Sequence, residues 1–202
     1  MSIGQNRNCF TLDNPMSRVE EPRYNVIESH GQIEVREYGP MIVAETEVPG
    51  IRKEAIQQGF RRIAAYIFGS NTSKQKIAMT APVVQQQTDT PCASAEPVDH
   101  QAWTVRFVMP ETHTLETLPA PNDSKVKLLS LGARRYVVIR FSGSGNDENI
   151  RHHLAILQKH VDEQDMSIVG HPVMAFYNPP WTLPFLRRNE IWLEIVPASG
   201  HP

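Results

Sequence analysis

Glu190 opens an otherwise apolar run, Ile191-Trp192-Leu193, and at period two it shares a strand face with Trp192 and Glu194. A carboxylate beside an aromatic ring on an open sheet face can bind an organic cation. The same residue can equally sit on a solvated edge or pair with Arg187 or Arg188. Histidines are the second resource. His152, His153 and His160 fall on one predicted helix. One ion shared on a helix needs partners three or four apart. His153 and His160 are seven apart, about 10 Å at 1.5 Å per residue, so they cannot share a metal, and each reads as a half-exposed helix histidine. His171 precedes Pro172 and reads as a loop residue, and His30-Gly31 as a hairpin turn. Cys92 lies in a Pro-rich stretch without a paired base and reads as a surface thiol. There is no His-Glu-x-x-His and no Gly-rich phosphate loop, and Gly143-Ser144-Gly145 lacks the spacing of a nucleophile elbow. No catalytic residue and no metal centre is assigned.

The elements that position these groups come in a repeated order. From Tyr24 to Pro110, two extended runs around Gly39-Pro40 lead to an amphipathic helix and two more runs. From Lys125 to Pro197 the order returns around Gly132. Gly39 to Gly132 is 132 − 39 = 93, and Gly50 to Gly143 is 143 − 50 = 93. The closing runs, Phe107 to Pro110 and Glu194 to Pro197, also rhyme. Duplicated ββαββ units predict a pseudo-twofold body in which one long sheet carries two helices. The first helix is predicted from about Ile51 to Phe68, stopped by Gly69, with Ile56, Phe60, Ile63 and Ile67 facing the sheet. The second is capped by Asn146-Asp147 and runs to about Gln164 on a stripe of Ile150, Leu154, Leu157 and Val161. Trp103, Val105, Phe107 and Met109 share one strand face; Ile191, Leu193 and Ile195 share another. With both helices on one side, the other side of the sheet is expected to be partly open and able to take a ligand.

Length and composition bound the rest. A chain of 202 residues with 40% apolar content fits one domain of two closely packed halves, about 24–110 and 125–197, within 23–197. Residues 1–22 read as a poorly ordered arm, 198–202 as a tail, Gln85 to Gln101 as a long mobile hairpin loop, and Thr114 to Ser124 as the linker between halves. A formal charge of −2 gives no electrostatic case for nucleic acid. No apolar run approaches the roughly 20 residues of a membrane span. The amino terminus lacks the apolar core of a signal peptide, and nothing before Cys9 reads as a lipoprotein leader. Two cysteines fit a reducing cytoplasm.

Three segments go beyond generic pattern. They are Ile33-Glu34-Val35-Arg36-Glu37-Tyr38-Gly39-Pro40, Lys76-Ile77-Ala78-Met79-Thr80-Ala81-Pro82-Val83, and Tyr177-Asn178-Pro179-Pro180 leading to Arg187-Arg188-Asn189-Glu190-Ile191-Trp192. Together they closely resemble the SOUL haem-binding protein family, over roughly Tyr24 to Pro197. The resemblance implies an α+β fold: a distorted antiparallel β-barrel of two pseudo-symmetric ββαββ halves with two flanking helices. It also implies a soluble protein that binds haem or another porphyrin non-covalently, without a known reaction. The groove it implies lies between the first helix and the loop before the last strand. In this sequence that groove is Gln57, Phe60, Arg61, Ala64 and Phe68 with Trp181, Leu183 and Phe185. The first, third, fourth and fifth of these are spaced four, three and four apart and form one helical stripe. Apolar walls with an arginine at the rim suit a flat macrocycle bearing propionates.

The chain departs from the family where iron ligands are concerned. One member has a histidine where this chain has Glu37. Others have a basic or methionine side chain where this chain has Gln57, Phe60 or Ala65. Met79, His153 or His160 could ligate an iron alone. Two further readings follow from likeness of architecture. The layout resembles effector-binding modules of bacterial transcription regulators, with Glu190 as counter-charge to a small amphipathic cation. It also resembles hydrolases that need a Glu and a Tyr, which Glu190 with Tyr136 or Tyr177 would supply.

Overall fold

A computed structural model describes residues 19–88, 102–179 and 181–196 of the chain. The elements run β1 (Tyr24–His30), β2 (Ile33–Tyr38), β3 (Met41–Pro49), α1 (Arg52–Ile67), β4 (Val83–Thr88) and β5 (Ala102–Val108). They continue β6 (Lys127–Leu131), β7 (Arg134–Phe141), α2 (Asp147–Glu163), β8 (Ile168–Phe176) and β9 (Asn189–Ile195). All strands join one sheet in the order β1-β2-β7-β9-β8-β4-β5-β3-β6, and every pairing is antiparallel. Without β1 the order is a palindrome about the β8/β4 contact: exchanging β2 with β6, β3 with β7, β4 with β8 and β5 with β9 reverses it. The body is therefore two pseudo-symmetric ββαββ halves that share one sheet.

Gly39-Pro40 and Gly132-Ala133 are not hairpin turns. Each two-residue link joins strands far apart in the sheet order, β2 to β3 and β6 to β7. Two residues span at most about 10 Å with their flanking bonds. The sheet must curl until its two ends approach each other, giving a half-barrel. In both halves the first two strands keep the 93-residue step on one face: Ile33 and Val126 (126 − 33 = 93), and Ala44 and Val137 (137 − 44 = 93), all pack on the helix side. The rhyme between the closing strands is out by one. Phe107 packs under α1, whereas Trp192, two residues from Glu194 and on its face, belongs to the opposite cluster. A one-residue slip in a strand exchanges its faces.

Both helices begin and end close to where their signals predict. The Asn146 side chain accepts a hydrogen bond from the Asn149 amide at the start of α2, and Gly69, at φ +110°, follows the last turn of α1. Ile150, Leu157 and Val161 of α2 pack with Val137, Ile139, Ile191 and Leu193. On α1 the sheet-facing side differs from the predicted stripe. Ala55, Gly59, Ile63, Tyr66 and Ile67 are buried, while Phe60 is 40% exposed, its ring centre 5.7 Å from that of Phe107 and inclined at 50° to it. The small Gly59 explains this: α1 lies so close to β5 that the contact itself needs no side chain. The segment predicted as a linker is anchored to α1, since Tyr66 Oη donates to the Pro119 carbonyl and Leu118 is buried.

Residues 19–22 are not loose. The Glu20 carbonyl accepts from the Ala81 amide, its carboxylate accepts from the Glu111 amide, and Glu21 pairs with Arg188. The rest of the predicted arm, the tail, most of the 85–101 loop and Cys92 lie outside the described residues. His171 lies within β8, beside the irregularity between Val169 and Val173, rather than in a loop. Met79, named as a candidate iron ligand, is exposed on the segment before β4.

A Cβ at Gly59 would lie 2.5 Å from Val105 Cγ2. Alanine gains about 1 kcal/mol of helix propensity over glycine, but overpacking costs about 1–3 kcal/mol. Gly59→Ala is expected to lower the urea midpoint and Gly59→Val to lower it further. A raised midpoint for Gly59→Ala would mean that α1 lifts from β5 without cost.

Candidate functional site

The inner face of the half-barrel was the expected open face, and it is filled. Tyr38, Val84, Tyr136, Val138, Val173, Ala175 and Trp192 form a buried cluster there. Period two puts Glu190 on this face, as predicted, but the curl of the sheet closes the face over it. Glu190 is 1% exposed. Its Oε2 accepts from Arg36 Nη1 at 3.0 Å, Tyr177 Oη at 2.8 Å and Trp192 Nε1 at 2.8 Å. Its Oε1 accepts from Arg188 Nε at 3.0 Å, with Nη2 at 2.9 Å. A carboxylate offers about four lone-pair directions, so this one has no capacity left for a ligand.

The two arginines are themselves held. Arg36 Nε donates to Glu34 at 2.7 Å and Arg188 Nη1 to Glu21 at 2.8 Å. The Arg36 guanidinium lies 4.3 Å from the centre of the Tyr24 ring, and that of Arg188 3.7 Å from the Tyr177 ring. The cation that Glu190 and its aromatic neighbours would bind is supplied by the chain. The same sealing applies to the acid–tyrosine pair. Glu190 and Tyr177 are in hydrogen-bond contact, yet substrate has no path to a carboxylate with five donors. Burial by itself raises the Glu190 carboxyl, but the Arg188 and Arg36 charges and the Trp192 and Tyr177 hydrogen bonds outweigh it and hold the group below the ordinary carboxylate range. Burial and the Glu190 charge push the Tyr177 hydroxyl up, keeping it a neutral donor. Arg188 was a predicted partner of Glu190. Arg36 was not, although Glu34-x-Arg36-x-Tyr38 alternates on one face as inward-pointing polar residues do.

The eight groove residues lie at the surface. Gln57 and Arg61 are exposed, Ala64 is half-buried, and Phe68 is 58% exposed at the end of α1. Trp181 is 83% exposed, Leu183 is exposed, and Phe185, in a single 3-10 turn over Pro184–Leu186, is 70% exposed. The loop is fastened from below. The Gly143 amide donates to the Pro184 carbonyl, Arg187 Nε donates to the Thr182 carbonyl, and Asn189 Nδ2 donates to the Gly143 carbonyl. Its backbone is therefore fixed while its large apolar side chains point away from the core.

A cleft of about 500 Å³ lies between the first turns of α1 and the 143–146 turn to which the loop is tied. Arg52, Lys53, Ile56, Gln85, Gly145, Asn146, Asp147 and Phe176 line it. Arg52 bridges the helices, donating to Asp147 at 2.6 Å and to Gln85 at 3.0 Å, and its Nε is buried without a partner among the described residues. None of the eight predicted residues lines this cleft. Its wall is formed by their neighbours one turn earlier on α1, which sequence reasoning missed because Ile56 reads as core and Arg52 as a solvated helix start. A second cleft, of about 560 Å³, lies where the curled sheet ends meet, lined by Tyr24, Glu37, Pro40, Met41, Met109 and His113 among others. Glu37 is paired there with Arg135 at 2.9 Å.

Glu190 is the residue whose loss the fold should feel most. Glu190→Gln leaves the buried Arg36 and the half-buried Arg188 partly unpaired and is expected to cost about 3 kcal/mol, the low end for breaking a buried pair. A depressed folded-state pKa contributes stability that is present above the unfolded value of about 4.3 and is lost as pH falls through the folded value. Urea unfolding from about pH 7 down to about pH 3 should therefore lose stability with acid in the parent and lose less in Glu190→Gln. Parallel curves for the two proteins would mean that Glu190 is not the group responsible.

Comparisons place this arrangement among known proteins. The chain is 29% identical over 166 residues to heme-binding protein 2 of Homo sapiens, covering 81% of this chain and 78% of that one. It is 26% identical over 160 residues to heme-binding protein 1 of Xenopus tropicalis, covering 79% and 81%. An uncharacterized conserved protein from Listeria innocua shares the fold, with a TM-score of 0.63 at 16% identity over 82% of this chain and 92% of that one. So does the EcmrR C-terminal domain, with a TM-score of 0.57 at 12% identity over 82% and 97%. Both likenesses concern the fold alone. The SOUL heme-binding protein family matches residues 19–194, nearly the whole described body, and the chain belongs to that family.

Proposed function

We propose that this protein binds haem or a related porphyrin non-covalently against the outer face of α1 and the 181–186 loop. The observation that carries the reading is the placement of exposed apolar bulk. Phe60, Phe68, Trp181, Leu183, Phe185 and Leu186 leave large hydrophobic surfaces in water on two elements, although this chain has ample core. Exposed apolar patches of this kind mark binding surfaces. Family membership and the names of the relatives point to the same ligand class.

The donor set suits a dianionic macrocycle. Arg61 is exposed on the α1 stripe, and Arg52 and Lys53 line the smaller cleft, where the buried Arg52 Nε has an unused N–H. These groups would hold propionates. Bound haem would supply an iron centre. No histidine, cysteine or methionine lies on α1, so affinity on this face comes from burying the ring. Among the described residues no helix is long and apolar enough to cross a membrane. The reading has the protein act as a carrier or buffer in the cytoplasm, as one domain over about 23–197.

Titration of the pure protein with hemin should give a saturable Soret shift, and iron-free protoporphyrin should bind within about tenfold of it, or 1.4 kcal/mol. Arg61→Glu should weaken both at least severalfold with no change in folding, because the side chain is solvent-exposed. Phe60→Ala, at 40% exposure, should cost well below the roughly 3–5 kcal/mol of a buried phenylalanine while weakening porphyrin binding. Hemin binding unchanged by Arg61→Glu and by Trp181→Ala would overturn this site.

A further inference from the structure

We infer that the imidazoles of His30 and His160 form a bidentate site for a late first-row divalent cation, clamping the β1–β2 turn to the last turn of α2. His30 is the last residue of β1 and His160 lies in the final turn of α2. They are 130 residues apart (160 − 30 = 130), and their ring centroids are 5.3 Å apart with planes inclined at 48°. With metal–nitrogen bonds of about 2.1 Å and tetrahedral angles, two rings on one ion have their centres about 5 Å apart. The observed separation allows both rings to ligate one metal.

The second observation concerns His160 itself. Its Nε2 is buried and has no hydrogen-bond partner among the described residues. A buried polar nitrogen without a partner costs about 1–3 kcal/mol, and a metal ion removes that cost by taking the lone pair. His30 is half exposed, so its ring can turn to admit an ion. The Glu28 carboxylate lies 3.8 Å from His30 Nε2, near enough to orient that ring as an outer partner or to balance the added charge. Among the described residues no three such groups converge on one point, so the chain supplies two nitrogens and water completes the shell. Imidazole donors select zinc, copper and nickel over magnesium and calcium.

This site is independent of porphyrin binding and separable from it. His152 and His153 are adjacent on α2, with rings 5.0 Å apart at 90°, but one is exposed and the other stacks on Phe141 at 4.1 Å. They serve as the internal control. Calorimetric titration of the untagged full chain with zinc chloride should saturate at one equivalent and raise the thermal midpoint, whereas magnesium chloride should do neither. His30→Ala and His160→Ala should each lose at least about tenfold in zinc affinity, and His152→Ala should lose none. Circular dichroism should show His30→Ala folded, as its half-exposed position allows, so lost binding there reports on ligation. Absence of saturable zinc binding, or equal loss in His152→Ala and His30→Ala, would overturn the site.

Discussion

A carboxylate with two guanidiniums in the interior of a curled sheet is the constraint from which the rest of the molecule follows. Glu190 is the centre of a network that joins β2 through Arg36, β9 through Trp192, the segment before β9 through Arg188, the end of β8 through Tyr177, and the 19–22 segment through Glu21. A buried pair of this kind adds little net stability over an apolar core of the same shape, but it is unforgiving of partial satisfaction. It ties the barrel to one register. A slip in β9 would present Ile191 to two arginines and place Glu190 among the aliphatic residues under α2.

That network also closes the inner face of the sheet. The inner face is filled by aromatic rings and internal ion pairs, which leave Glu190 closed to a ligand. The same architecture is reached elsewhere with few shared residues, since the structural neighbours named above are 12% and 16% identical. In this chain the ion-pair network lies in the interior, apart from the exposed apolar side chains of α1 and the loop before β9. Substitutions on the two should separate cleanly.

The fold was largely legible because its signals are local. Asn146 and Gly69 mark helix ends, and the period-two faces of β5 and β9 survive intact. The step of 93 between halves held for the first two strands of each, where a two-residue link opening on glycine joins them. The rhyme of the closing strands, at 194 − 107 = 87, missed their faces because rhyming residue types do not report strand parity. The site was less legible. Phe60 sits at helical spacing with Ile56 and Ile63, yet Gly59 brings the backbone so near β5 that Phe60 is turned outward. The burial of Glu190 depends on the curl of the sheet. No residue near it in sequence announces that curl, which arises from two short links across the whole strand order.

Those links have a consequence for the autonomy of the halves. β2 does not lie in the sheet beside β3, and β6 does not lie beside β7; each half lends its first strand to the other. The arrangement is that of a strand-exchanged dimer joined into a single chain. Half of such a molecule would expose the edges of β3 or β7 and leave its donated strand without a neighbour. The pairings of β2 with β7 and of β3 with β6 are therefore distant in sequence, and the chain must be complete before either half can close. Assembly should be slow and all-or-none, with a lone half behaving as an aggregation-prone fragment rather than a small domain.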